Sequence, residues 1–144
     1  MHQIYSRLSI MCAIIVPLLF TSCKGEEHPV PNVPVNISIN LDLPSYQPLG
    51  APGGWAYVNG GSRGIVVYRH FDEFVALDRH STYNSDDPNA IVYVDSVNFF
   101  ELVDTLSDCR YSIQSGVVLA GPAKFGLRRY NASWDGAYTV TIWN

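Results

Sequence analysis

Apolar and polar residues alternate through positions 33–42: Val33, Val35, Ile37, Ile39 and Leu41 fall between Pro34, Asn36, Ser38, Asn40 and Asp42. A period of two over this length predicts a half-buried strand, with one side toward a core and the other toward water. Residues 44–54 follow with three prolines and three glycines, a rigid loop that ends in permissive positions. Residues 55–58 and 65–69 flank the Asn59-Gly-Gly-Ser-Arg-Gly64 turn and predict a hairpin. Further short strands are expected at 74–78, 91–94, 100–103, 112–113, 117–119 and 127–131. The last, over 137–143, is reached through Trp134-Asp-Gly136. Only 71–75 suggests a helical turn, and no segment sustains a 3.6-residue period. Short strands between regular turn signals predict an all-β fold, a small antiparallel sandwich or barrel formed by one domain over residues 35–144.

The N-terminus has a different pattern. Residues 1–7 include Arg7, residues 8–20 form an apolar run broken only by Ser9, and small Thr21 and Ser22 precede Cys23. That run is too short to span a bilayer and fits the apolar part of a secretory signal. The Phe20-Thr-Ser-Cys23 junction resembles the lipobox of bacterial lipoproteins. It implies a signal peptide over 1–22 and a Cys23 that carries palmitate-type acyl chains; the alternative is an ordinary signal peptide cut near Ser22. Each buried methylene of such chains adds about 0.8 kcal/mol of membrane affinity. Residues 23–34 are polar and proline-rich, which predicts a flexible tether. The acids just after Cys23 resemble a short export signal of some Bacteroidetes lipoproteins. The expected location is the cell envelope, lipid-anchored at the outer membrane.

Cysteine and charge narrow the chemistry. Cys12 leaves with the apolar run and Cys23 is blocked by lipid, so Cys109 remains as the free thiol and no disulfide can form. A single thiol supplies neither an iron–sulfur cluster nor a Cys-rich zinc site. Nine basic residues stand against thirteen acidic ones, with no basic cluster beyond Arg128-Arg129. Nucleic-acid binding is therefore not expected, since phosphate contacts need a concentrated Lys/Arg surface.

Two stretches carry a family resemblance. Phe74, Ala76, Asp78 and Arg79 match a Phe-x-Ala-x-Asp-Arg strand; Tyr111, Gly116, Gly121-Pro-Ala123, Leu127 and Tyr130 match a second pattern in order and spacing. Together, over residues 54–143, they resemble the segments flanking the two cluster-binding loops of Rieske [2Fe–2S] domains, and most closely the cluster-less Rieske-like lipoproteins of Bacteroidetes. The resemblance implies a small antiparallel β fold whose smaller subdomain presents two loops, each giving one Cys and one His to a two-iron cluster. It puts those ligand positions on Ser81, Tyr83, Asp104 and Ser107. As a set these cannot supply two thiolates and two imidazoles, so no cofactor is expected. The alternative is a redox protein that retains a [2Fe–2S] cluster or mononuclear iron through His80, Tyr83, Asp104 and Cys109.

Other candidates are weaker. Asp86, Asp87, Asp95, Asp104 and Asp108 could supply oxygens to calcium, but no EF-hand-type loop is present. His70 and His80 could act as ligands or bases, yet no nucleophile elbow, zincin motif or phosphate loop accompanies them. Tyr46, Trp55, Tyr57, Tyr68, Tyr83, Tyr93 and Trp134 could stack against glycan or peptide, although β cores ordinarily consume such residues. Tyr83 is the exception, because it falls at a ligand position on an expected loop tip. Asp95-Ser-Val97 and Asp104-Thr-Leu106 resemble Bacteroidetes O-glycosylation acceptors, at least one of them expected within a strand. Asn131-Ala-Ser133 has the form of an N-glycosylation site. The expectation is a non-enzymatic binding or structural protein, with the degenerate loop end meeting an envelope protein or glycan.

Overall fold

The computed structural model describes residues 25–144; the signal-peptide region 1–22 and Cys23 lie outside the described residues. Ten strands are found among those residues: β1 (Asn36–Asn40), β2 (Trp55–Val58), β3 (Ile65–His70), β4 (Glu73–Asp78), β5 (Val92–Val94), β6 (Glu101–Asp104), β7 (Cys109–Ser112), β8 (Val118–Ala120), β9 (Arg129–Trp134) and β10 (Thr139–Trp143). They form an antiparallel six-stranded sheet, ordered β1-β10-β9-β4-β3-β2, and a four-stranded sheet, ordered β5-β6-β7-β8. The chain is all-β, as the alternation predicts, and its smaller sheet carries loops at one end.

Two hydrophobic cores share the β3–β4 hairpin. Ile65, Val67, Phe74 and Ala76 point into a first core with Ile39, Val58, Leu49, Val140 and Ile142. Their neighbours Val66, Tyr68, Val75 and Leu77 point the other way, against Val92, Leu102 and Tyr111 of the smaller sheet and Ile113 and Leu127 of its connecting segments. Strands covered on both faces cannot alternate apolar with polar, which explains the unbroken apolar runs of β3 and β4. Each fully buried aliphatic side chain contributes about 1.5–3 kcal/mol, so the hairpin stabilises both layers. β9 bends to serve two neighbours: Arg129 and Tyr130 pair with β4, whereas residues 131–134 pair with β10.

Three expectations are corrected. The segment 71–75 is no helical turn. His70 pairs with Glu73, so Phe71 and Asp72 form a hairpin turn, and extended pairing with β3 overrides the weak local signal. The loop at 44–54 contains a 3₁₀ helix, Pro44–Gly50, held on the first core by fully buried Leu49. Its first proline lacks an N–H that the helix start would leave unpaired anyway. The strand at 112–113 is instead β7, Cys109–Ser112, which the polar Arg110 and Ser112 obscured in the sequence.

The tether expected through Pro34 is docked from His28 onward, so the packed part of the domain begins earlier than residue 35. Val30 is fully buried. Its carbonyl accepts from the Arg128 guanidinium at 2.5 and 3.2 Å, and His28 Nε2 donates to the Gly126 carbonyl at 3.1 Å. At the other end, the Asn144 amide bonds the Val35 N–H, the Val33 carbonyl and Asn32.

Candidate functional site

Three loops meet at one end of the four-stranded sheet: residues 79–91 after β4, the turn 105–108 between β6 and β7, and residues 121–128 before β9. Of the positions to which the resemblance assigns ligands, Ser81 and Tyr83 lie in the first, Ser107 in the second, and Asp104 ends β6 just before it.

The base of this end is the carboxylate of Asp78, the last residue of β4, with 0% of its surface exposed. Its Oδ2 accepts from the Ser62 N–H at 2.6 Å and the Tyr130 hydroxyl at 2.7 Å; its Oδ1 accepts from the His80 N–H at 2.8 Å and the Arg63 N–H at 3.3 Å. Four donors replace the water that burial removes, which is what an unpaired buried carboxylate requires. Gly61 makes the approach possible: at φ +63 a side chain is strained, and a Cβ would stand 2.5 Å from Asp78 Oδ2. Burial, then the hydrogen bond to this carboxylate, pushes the Tyr130 phenol pKa up.

His80 is also consumed. Its Nε2 donates to the Ser85 carbonyl at 2.8 Å, which leaves Nδ1 to accept from the Ser62 hydroxyl at 2.8 Å. Desolvation is the largest influence on the ring and holds its pKa below the ordinary value, so the neutral imidazole fits both contacts. Arg63 reaches across the same loop, bonding the carbonyls of Ser85 and Ala90 at 3.0 Å each, and that of Asp87. Its planar fork thereby holds loop 79–91 in one shape.

Ser81 and Asp104 are both buried. The Tyr111 hydroxyl links Ser81 Oγ at 3.3 Å with Thr82 Oγ1 at 3.0 Å, and Thr82 donates to the Phe125 carbonyl at 2.6 Å. Asp104 closes its own turn: Oδ1 accepts from the Leu106 N–H at 2.9 Å and Oδ2 from the Ser107 hydroxyl at 2.8 Å. Tyr83 is half-buried against the second core and lines a cavity of about 240 Å³ with Pro29, Pro122, Lys124 and Phe125. The Cys109 thiol is fully buried at the start of β7.

These donors do not fit a two-thiolate, two-imidazole cluster. Both His80 nitrogens have partners, Ser81 is tied to Tyr111, and the Asp104 oxygens cap a turn. Every buried side-chain nitrogen and oxygen among the described residues is hydrogen-bonded, so no orphaned atom points to a missing group. Nor do the calcium candidates converge among the described residues. Asp86 and Asp87 lie in loop 79–91, whereas Asp95 joins the opposite turn and bonds Arg110 at 2.9 Å. Arg110 bonds Glu101 as well, at 2.8 Å.

The aromatic candidates divide between core and surface. Tyr68 is buried, Tyr46 and Trp134 pack on the first core, and His70 lies at the β3 end beside Phe71. Tyr57 and Tyr93 hold the Arg79 guanidinium between their rings, 3.8 and 4.9 Å from the centroids. Trp55 and Tyr57 also line an apolar groove with Phe99 and Phe100. The proposed O-glycan acceptors Ser96 and Thr105 both sit in turns and not within a strand, and Asn131-Ala-Ser133 lies inside β9.

Sequence reasoning missed Ser62, Arg63 and Thr82, and saw Asp78 only as a motif match. A carboxylate closing an apolar strand, with a Gly-Gly turn upstream, was the available signal.

No family model matches the chain and no curated protein matches it. Among solved structures it is similar to the ferredoxin of carbazole 1,9a-dioxygenase from Nocardioides aromaticivorans IC177, with a TM-score of 0.48 and 18% sequence identity. That match covers 78% of this chain and 99% of the ferredoxin. On that likeness alone the chain is assigned to no family.

Proposed function

We propose that this chain is an envelope lipoprotein, anchored through Cys23, whose Rieske-like domain carries no iron–sulfur cluster and serves in binding or structural support, not catalysis. The observation that supports it is the hydrogen-bond accounting at the loop end. Ser81, His80, Asp104 and Ser107 each bond a partner within the chain, which leaves Tyr83 as the one ligand position whose side chain has no hydrogen-bond partner among the described residues. A cluster would have to break several of these bonds and would still lack thiolates. What reaches solvent there is Leu106 and part of Tyr83 among polar Asn84, Asp86, Asp87, Thr105 and Asp108, a mixed surface suited to an envelope protein partner.

Iron, labile sulfide and the visible spectrum of the full chain, extracted anaerobically from membranes, test this reading. The expected result is a colourless, folded and iron-free protein. Two irons with two sulfides and a charge-transfer band would overturn it and restore electron transfer. Iron without sulfide would equally overturn it, in favour of a mononuclear centre built from His80, Tyr83, Asp104 and Cys109.

A further inference from the structure

The outward face of β1, β10 and β9 is unusual in this acidic protein. Pairing aligns Asn36, Trp143 and Asn131 in one row across the three strands, and Ser38, Thr141 and Ser133 in the next. Both rows are free of charge, and Arg129 alone adds one at the next outward position of β9. The inward residues between them, such as Ile39, Val140 and Ile142, are buried, so one period of two separates core from an amide and hydroxyl surface.

Beside this face the sheet opens. β9 pairs with β4 only at Tyr130 and Arg129, then turns away to follow β10. The divergence leaves a cavity of about 610 Å³ between Asp72 and Glu73 on one side and Asn131 and Ser133 on the other, with Trp143 and Arg129 in its lining. Trp143 is 38% exposed. Ser38 and Thr141 bond each other at 3.4 Å; the side chains of Arg129, Asn131 and Ser133 have no hydrogen-bond partner among the described residues. In the β3–β4 turn, next to Asp72, Phe71 holds φ +54 and is 68% exposed, a strained conformation that a bulky residue seldom adopts.

The chemistry selects the occupant. A peptide strand added at the edge that β9 frees over residues 131–134 would use backbone groups in the plane of the sheet and leave the outward side chains of Asn131, Ser133 and Trp143 unused. The Asp72 and Glu73 carboxylates beside Arg129 oppose a phosphate or sulfate. A lipid surface would strand the amides and hydroxyls without partners. A neutral sugar satisfies all three conditions: its hydroxyls both donate and accept, pairs of them match planar guanidinium, carboxylate and amide groups, and its ring face stacks on indole.

We propose that the β4–β9 cleft and the adjoining amide–hydroxyl face bind a neutral oligosaccharide chain, with a sugar ring on Trp143 and its hydroxyls shared among Arg129, Asn131, Ser133 and Glu73. This site lies on the larger sheet and is independent of whether the loop end holds iron.

The test is calorimetric titration of the full chain, in a detergent that carries no sugar, with maltohexaose, cellohexaose, mannohexaose and a sulfated heparin hexasaccharide. At least one neutral chain binds with a Kd of roughly 10 μM to 1 mM. Trp143→Ala weakens that binding about tenfold or more, whereas Trp143→Phe, which keeps a stacking face, retains most of it. The Asn131→Ala/Ser133→Ala pair, both exposed and outside either core, also weakens it and decides the matter where Trp143→Ala fails to fold. Tyr83→Ala leaves it unchanged, which separates this site from the loop end. Absence of neutral binding at about 5 mM, preference for heparin, or full affinity in the folded variants would each overturn the proposal.

Discussion

The loop end of the smaller sheet and the outward face of β9 and β10 carry similar residues with opposite bookkeeping. At the loop end, Ser62, His80, Ser81, Thr82 and Asp104 bond one another, Tyr111 or nearby backbone. On the open face, Asn131, Ser133 and Arg129 point away from both cores and are left to solvent or a ligand. Burial sets the difference. A polar group withdrawn from water costs roughly 1–3 kcal/mol unless a partner replaces the water, so the buried region had to close its network. The exposed region had no such requirement. Availability for a ligand therefore follows from unspent hydrogen-bonding capacity, not from residue type.

The largest effect expected from breaking this comparison lies at Asp78. Asp78→Ala leaves three N–H groups and the Tyr130 hydroxyl without their buried acceptor, and should lower the unfolding free energy by about 3–5 kcal/mol in urea titrations. Asn131→Ala on the open face should change it by less than about 0.5 kcal/mol. A comparable loss at both sites would erase the distinction between the regions.

Next comes Tyr111→Phe. Ring packing is kept, but Ser81 and Thr82 lose the hydroxyl they share, for an expected loss of about 1–2 kcal/mol by the same titration. An unchanged midpoint would mean that the network near the first loop contributes little.

The smallest effect is a pH dependence. Burial holds the His80 pKa below 6.5. The unfolded chain takes up a proton near pH 6.5 that the folded chain refuses until the pH is lower. The neutral ring therefore contributes stability above that pH, and the contribution is lost as the pH falls through the folded pKa. Wild-type stability should drop as the pH falls below about 6.5, and His80→Gln should flatten that fall. An equal slope in both proteins would place the titration elsewhere.

Much of the fold was legible because period-two alternation records one buried face, as in residues 35–41. The unbroken apolar runs of β3 and β4 were equally legible as strands, although their double coverage was not. The errors share one cause. Residues 71–75 look helical only until β3 is beside them, and the prolines and glycines of 44–54 hide a 3₁₀ turn that Leu49 anchors. The second half of the tether is polar in composition, yet Val30 and His28 find partners about a hundred residues away.

The site was less legible. The order of Phe74, Asp78, Tyr111 and the Gly-Pro-Ala stretch, and the absence of Cys and His at the ligand positions, could be read directly, because residue identity alone decides whether thiolates and imidazoles exist. Whether Asp104 is a loop-tip group or a buried turn cap could not, nor that His80 has no free nitrogen. Neither could the cleft beside Trp143, since it arises where β9 leaves β4 for β10. Composition and local period state what each residue can do; the long-range pairing of strands decides which of those capacities is used up inside the protein and which faces outward.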